Sequence, residues 1–144
     1  MNIFTTTPSR RQRGLGLLVL RLALGLVFVV HGGQKLFVMG PSATGGMLGQ
    51  MGIPGAALFG PVLAIVEPLA GAALTLGLLT RLAAFAIAAD MFGAIVMFHS
   101  KHGFFVPMGI EFPMMLCVSA LALIALGAGP YSADHAIDRR RSET

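Results

Sequence analysis

Four long apolar segments dominate the chain and limit what it can fold into. Each is close to the roughly 20 residues that a helix needs to cross a hydrocarbon core about 30 Å thick. Backbone polar groups in lipid must be satisfied internally, so each segment is predicted to be helical. The expected fold is an all-α integral membrane four-helix bundle, a single domain over 1–144, with helices at about 15–38, 59–79, 82–98 and 111–127.

The composition indicates lipid as the surrounding solvent. Hydrophobic residues make up 56% of the 144 residues and charged residues only 11%, whereas about a quarter of a soluble domain is charged. The net charge of +4 comes largely from "RRQR" and "RRR" near the two ends. These clusters lack the interleaved aromatic residues of nucleic-acid sites, so no nucleic acid is expected as a partner. Cys117 is the only cysteine, which excludes an intramolecular disulfide.

The positions of Lys and Arg predict the topology, because cytoplasmic loops are enriched in these residues. The arginines near both ends, together with Arg81, would lie on one side of the membrane. Lys35 and Lys101 would lie on the other side. We therefore expect a multi-pass protein of the cell inner membrane, with cytoplasmic tails at 1–14 and 130–144.

The first apolar segment follows a basic stretch, as the apolar region of a signal peptide does. However, Arg21 interrupts this segment, and no small-x-small cleavage motif follows Val30. An uncleaved first membrane helix is therefore expected.

The connection after the first segment, "MGPSATGGMLGQMGIPGAALFGP", is uncharged and rich in Gly and Met. A structureless connection of this length is uncommon in a compact domain. We expect an interfacial or partly re-entrant segment with a short helix near Met47.

Two charged residues would lie in the cytoplasmic half of the membrane. At 1.5 Å per residue, Arg21 would be about 9 Å and Asp90 about 12 Å from the cytoplasmic edge. An isolated charge at the bilayer centre costs at least about 2.5 to 3.5 kcal/mol, so an intramembrane Arg21–Asp90 ion pair is predicted. This pair could serve only to fix helix register, and Arg21 could instead extend to the cytoplasmic surface.

One face of the first helix carries small and charged residues together. Arg21, Gly25, Phe28, Gly32 and Lys35 follow a helical spacing along it. Small residues allow membrane helices to approach closely, so this face is predicted to point toward the other helices.

A second group of ionisable residues would lie in the outer half of the membrane. His31, Lys35 and Glu67 are expected there, with His99 and Glu111 at the outer boundary. A histidine exchanges protons near neutral pH, which suits proton-coupled chemistry. The cluster is predicted to relay protons or to bind a partner, and no catalytic residue is assigned. The alternative is a set of purely structural ion pairs.

"HSKH" places two histidines, His99 and His102, three residues apart. A metal site using both is a weaker alternative to a pair of interfacial polar residues. No bound metal is expected.

Several short motifs resemble the DoxX family of small four-helix membrane proteins, which is related to the DoxD subunit of thiosulfate:quinone oxidoreductase. They are "LRLALGLVFVVHGGQKLF", "MGIP", "EPLAGAALTLGLLTRLAA" and "GAGPYSADHAID". The last resembles a Gly-Pro-x-Tyr-Ser-x-Asp ending, with proline where arginine is expected. The resemblance implies an association with redox or oxidative-stress systems but supplies no agreed catalytic role. The matching positions are Arg21, His31, Lys35, Glu67, Arg81 and Glu111.

Two functions remain open at this point. The first is a non-autonomous membrane subunit of a quinone-linked oxidoreductase complex, in which the cluster of His31, Lys35 and Glu67 would bind a quinone or relay protons to it. Its electrons would come from a partner, because the chain has no flavin, haem or iron–sulfur motif. The second is a non-catalytic assembly or partner-anchoring protein, or a small-solute permeation element. Either would involve a protein partner or a homo-oligomer in the lipid bilayer.

Overall fold

The computed structural model describes residues 7–143, so part of the predicted N-terminal tail lies outside the described residues. Six α-helices account for most of this range, and no strand occurs within it. A π-helical turn, Gln34–Met39, extends the first helix, and a short 3-10 helix, His99–His102, follows the fourth. The α-helices are α1 (Arg10–Gly33), α2 (Pro41–Gln50), α3 (Ala56–Leu76), α4 (Thr80–Met97), α5 (Glu111–Leu126) and α6 (Ala133–Ser142).

Three helical segments are long and apolar enough to cross a membrane. They are Arg10–Met39, Ala56–Leu76 and Thr80–Met97, and α5 is a shorter apolar helix. The expectation of an all-α membrane protein is confirmed.

The first helix begins five residues before the predicted start at residue 15. Ser9 caps it: the Ser9 side chain accepts a hydrogen bond from the Gln12 backbone N–H at 3.2 Å, and the Gln12 side chain accepts one from the Ser9 N–H at 2.8 Å. This reciprocal cap satisfies N–H groups at the helix start and lets the helix extend into polar sequence. Apolar periodicity alone could not reveal that extension.

The helices pack through small residues around an apolar core. α1 lies along α3, and α4 lies along α5. At the α1–α3 crossing, a Cβ added to Gly25 would lie 2.7 Å from the Gly71 carbonyl oxygen, so only glycine permits this approach. The predicted face of α1 is buried, including Arg21 and Phe28. Large apolar side chains on the helix faces that point away from the core, such as Leu69, are well exposed, as expected for helices in lipid.

The long first connection contains the short helix expected near Met47, which is α2. It packs against α3, where Gly45 and Gly60 bring the two backbones into contact. α2 therefore forms part of the packed structure.

The predicted C-terminal tail contains α6, which docks beneath the turn between α3 and α4. Gly77 and Leu79 adopt left-handed conformations in this turn, with φ of 67° and 48°. The Asp134 carboxylate accepts hydrogen bonds from the backbone N–H groups of Leu79 at 2.7 Å and Thr80 at 2.9 Å. A residue from the C-terminal segment thus caps the start of α4.

Candidate functional site

A buried ion pair joins Lys35 on the π-helical turn to Glu67 in the middle of α3. The Lys35 side chain is 23% exposed and the Glu67 side chain only 3%. Gly32 makes this contact possible, because a Cβ added there would lie 2.9 Å from the Glu67 Cβ. The π-helical geometry changes the phase of the helix after Gly33, a device often found at functional sites.

Asp90 on α4 belongs to the same cluster as Lys35 and Glu67. Its carboxyl group interacts electrostatically with Glu67 and with Lys35. Its Oδ2 atom is buried without a hydrogen-bond partner among residues 7–143. The cluster therefore contains one cationic group and two carboxyl groups.

The predicted Arg21–Asp90 ion pair is wrong. Arg21 is fully buried, and its guanidinium donates hydrogen bonds to the Leu74 carbonyl oxygen at 3.1 Å and to the Tyr131 carbonyl oxygen. Depth along the membrane normal placed Arg21 and Asp90 at one level, but depth does not determine which neighbour a side chain faces. The carbonyl end of α3 attracts a cation, and Gly77 leaves room for it.

A cavity of about 180 Å³ lies beside the ion pair. Four of the predicted outer residues line it: His31, Lys35, Glu67 and His99. The rest of the wall is mainly apolar, contributed by Val27, Phe28, Met91, Ala94, Val106, Pro107, Phe112, Pro113 and Leu116. A small apolar pocket with a few polar groups is the usual form of a ligand site.

Two histidines of the cavity are oriented by backbone carbonyl groups. His31 Nδ1 lies 2.9 Å from the Val27 oxygen, and His99 Nδ1 lies 2.7 Å from the Met108 oxygen. When the ring is neutral, a contact with a carbonyl oxygen requires Nδ1 to carry the proton, which leaves Nε2 as an acceptor. Each ring can therefore accept a proton or a hydrogen bond at Nε2.

The remaining predicted residues have local structural contacts. Glu111 does not line the cavity; its Oε1 accepts a hydrogen bond from the Val106 N–H at 2.6 Å and so braces the loop before α5. His102 Nδ1 lies 2.9 Å from the Phe98 oxygen. Across the described part of the chain, no three His, Cys, Asp or Glu side chains are grouped to hold a metal ion. The His99–His102 alternative therefore has no third ligand of these types there.

The hydrogen bonds of Arg21 to the Leu74 and Tyr131 carbonyl oxygens were not predicted from the sequence. The sequence feature that could have indicated these contacts is the "GAGPYSAD" segment. It supplies the Tyr131 carbonyl group for Arg21 and the Asp134 carboxylate that caps α4. Its two positive-φ glycines, Gly127 and Gly129, shape the segment that returns to the bundle.

Long apolar helices enclosing a buried charge cluster define a small multi-helix membrane protein. The family model for DoxX matches residues 16–100, a range that includes Lys35, Glu67 and Asp90. The chain belongs to the DoxX family.

Two relatives are similar to parts of the chain. The "Uncharacterized membrane protein Rv3486" of Mycobacterium tuberculosis is 44% identical over 79 residues, which are 54% of this chain and 47% of that protein. The chain thus matches about half the length of this relative. The "Putative oxidoreductase CatD" of Bacillus subtilis is 31% identical over 115 residues, 79% of this chain and 81% of that protein. No solved structure matches the chain.

Proposed function

We propose that the chain is a membrane subunit of a quinone-linked redox complex and that its outer cavity receives a quinone headgroup. The observation that carries the proposal is the buried Lys35–Glu67 ion pair opening into a mainly apolar cavity with two histidines. The oxidoreductase name of the Bacillus subtilis relative supports the redox class.

The proposed setting is a four-helix bundle in the cell inner membrane. α1, α3, α4 and α5 would all cross the bilayer, with both termini in the cytoplasm. The concentration of arginines at the ends supports this orientation. The cavity would then lie toward the outer surface.

The size of the cavity suits a single ring. Its volume of about 180 Å³ is smaller than the roughly 300 to 1,000 Å³ of typical drug-sized pockets. A cavity of this size would hold a substituted quinone ring. The isoprenoid tail would leave the cavity between exposed apolar side chains. Apolar groups of α5, such as Phe112 and Leu116, would contact the ring.

The polar groups divide into a hydrogen-bond donor and a proton carrier. Lys35 donates to a quinone carbonyl oxygen from its ammonium group. Glu67 and Asp90 are the two carboxyl groups beside Lys35 and are the proposed proton carriers. A quinone supplies two-electron, two-proton redox chemistry when bound, and a redox partner subunit of the complex exchanges the electrons. His31 and His99 accept protons at Nε2 and connect the pair with the outer surface.

The test is quinone reduction or quinol oxidation by gently solubilised protein with its co-purifying partner. Lys35→Gln should lower turnover at least tenfold, because a charged donor to the ring is lost. The matched control is His102→Gln, which changes a nearby histidine outside the cavity and should leave turnover unchanged. If no redox partner co-purifies, or if Lys35→Gln has full turnover, the non-catalytic anchoring function replaces this proposal.

A further inference from the structure

The loop at residues 103–110 forms part of the wall of the cavity beside the Lys35–Glu67 pair. It connects the short 3-10 helix after α4 to α5. Val106 and Pro107 of this loop line the cavity, whereas the other lining residues lie on α-helices or on the π-helical and 3-10 turns. The loop is therefore the part of the wall that can move without bending a helix.

Backbone hydrogen bonds join the two ends of the loop to each other. The Ile110 N–H donates to the Gly103 carbonyl oxygen at 3.0 Å, and the Glu111 N–H donates to the Phe104 carbonyl oxygen at 3.0 Å. Within residues 7–143, the hydrogen bonds described for the loop go to its own residues or to the adjacent ends of the flanking helices. An outward movement of the loop tip therefore breaks no hydrogen bond to α1 or α3.

Two flanking side chains hold the tip of the loop in place. The Glu111 Oε1 atom accepts a hydrogen bond from the Val106 N–H at 2.6 Å. On the other side, His99 Nδ1 lies 2.7 Å from the Met108 carbonyl oxygen. Val106 lines the cavity, so the Glu111 carboxylate acts directly on a residue of the cavity wall. A hydrogen bond to a charged group is also stronger than one between neutral groups.

The outward side of the loop is apolar. Phe104, Phe105, Val106 and Met108 are between 44% and 76% exposed, and no residue at 103–110 is charged. Exposed aromatic side chains at the end of membrane-length helices are typical of the membrane–water interface. Because the loop has no charged residue, it can move outward into this interface without carrying a charge into lipid.

We propose that the 103–110 loop is a lid over the outer cavity and that Glu111 is a positioning residue that holds the lid closed. When the hydrogen bond from the Val106 N–H to Glu111 breaks, Val106 and Pro107 move away from the cavity and a ligand can enter. Glu111 does not line the cavity, so it acts through the loop and touches no ligand. As the entrance for a quinone headgroup, the lid rests on the proposed function.

The experiment measures how fast N-ethylmaleimide labels a cysteine inside the cavity of the full chain in detergent. The reporter is Ala94→Cys, at a lining position, in a Cys117→Ala background. Glu111→Ala removes the acceptor and should raise the labelling rate about tenfold, because labelling follows the population of the open lid. Glu111→Gln removes the same charge but keeps a carbonyl oxygen as acceptor, so it should label much more slowly than Glu111→Ala.

The native Cys117 controls for a general loosening of the bundle. It is buried in the core and only 8% exposed. In the otherwise native chain, Glu111→Ala should leave the slow labelling of Cys117 unchanged. A rise at Cys117 as large as the rise at Ala94→Cys would contradict a lid.

Two further results would overturn the proposal. The first is the same labelling rate of Ala94→Cys with and without Glu111→Ala. The second is labelling in Glu111→Gln that is as fast as in Glu111→Ala, since the hydrogen bond would then have no role. These rates are measured without quinone, so they test the lid separately from the quinone site, which full turnover in Lys35→Gln would contradict.

Discussion

At the scale of single residues, Lys35 is the cation that compensates the buried Glu67 carboxylate. Their ion pair is the one described within residues 7–143 that lies at membrane depth. Breaking a buried pair by removing one partner leaves an uncompensated charge, which costs far more than the net value of the pair. The two residues should therefore be strongly coupled.

Lys35→Met should lower the free energy of unfolding by about 3 kcal/mol, near the lower end for a buried pair because Lys35 is partly exposed. In a Glu67→Gln background the same substitution should cost less than about 1 kcal/mol, because no carboxylate remains at position 67. Unfolding in detergent micelles measures both losses. Equal losses in the two backgrounds would contradict the pairing.

Arg21 and Asp90 should instead behave independently. Arg21→Leu removes hydrogen bonds to Leu74 and Tyr131, whereas Asp90→Asn alters the outer cluster. Their losses in unfolding free energy should add to within about 0.5 kcal/mol in the double variant. An interaction energy above about 1 kcal/mol would restore the ion pair predicted from the sequence.

Residue-scale prediction from sequence succeeded where one helix face and depth were sufficient. Lys35 and Glu67 are predicted to share one cluster because both are charged, lie in the same half of the membrane and stand on helix faces rich in small residues. The sequence paired Asp90 with Arg21, which was wrong, because counting residues gives depth in the membrane but not the rotation of α4 about its axis. Predicting the contacts of Arg21 would have required the path of the C-terminal segment, because Tyr131 is 110 residues away in the sequence.

At the scale of elements, the α1–α3 crossing sets the geometry of the site. Gly25 and Gly71 bring the backbones together near the middle of the helices, and Gly32 continues the close approach as far as Glu67. Apolar periodicity predicted these helices and this face. The π-helical turn that carries Lys35 has no characteristic sequence pattern, so the sequence did not predict it.

Gly25→Ala should destabilise the protein by about 1 to 3 kcal/mol, because the new methyl group meets the Gly71 carbonyl oxygen and forces the helices apart. Gly16→Ala is the matched control on the same helix. Nothing lies within 4 Å of its added Cβ, so it should be neutral or stabilise by up to about 1 kcal/mol. Equal effects in thermal unfolding would show that the crossing is looser than described.

At the scale of the whole molecule, the two cavities lie at opposite ends. The cavity beside the Lys35–Glu67 pair is lined by the end of α1, the middle of α3 and the start of α5. The second cavity is a groove between the α3–α4 turn and the C-terminal segment that includes α6. The sequence predicted the helices and the outer cluster from composition and depth. It did not predict that α6 would dock on the bundle, because short polar helices are held by specific tertiary contacts such as the Asp134 cap.

The proposed topology places Ser142 in the cytoplasm and Gly103 outside. In a Cys117→Ala background, a membrane-impermeant maleimide added to spheroplasts should label Gly103→Cys and spare Ser142→Cys. Permeabilised cells should label both, which controls for reactivity. The reverse pattern in intact spheroplasts would invert the orientation.

Photolabelling with a short-chain azidoquinone is the most direct test of the outer cavity as a quinone site. We expect saturable labelling of peptides from the end of α1 and the start of α5, displaced by unlabelled quinone and reduced at least tenfold in Lys35→Gln. His102→Gln should label like the wild-type protein. Labelling that does not saturate, or that is the same in wild type and Lys35→Gln, would contradict a quinone site at the Lys35–Glu67 pair.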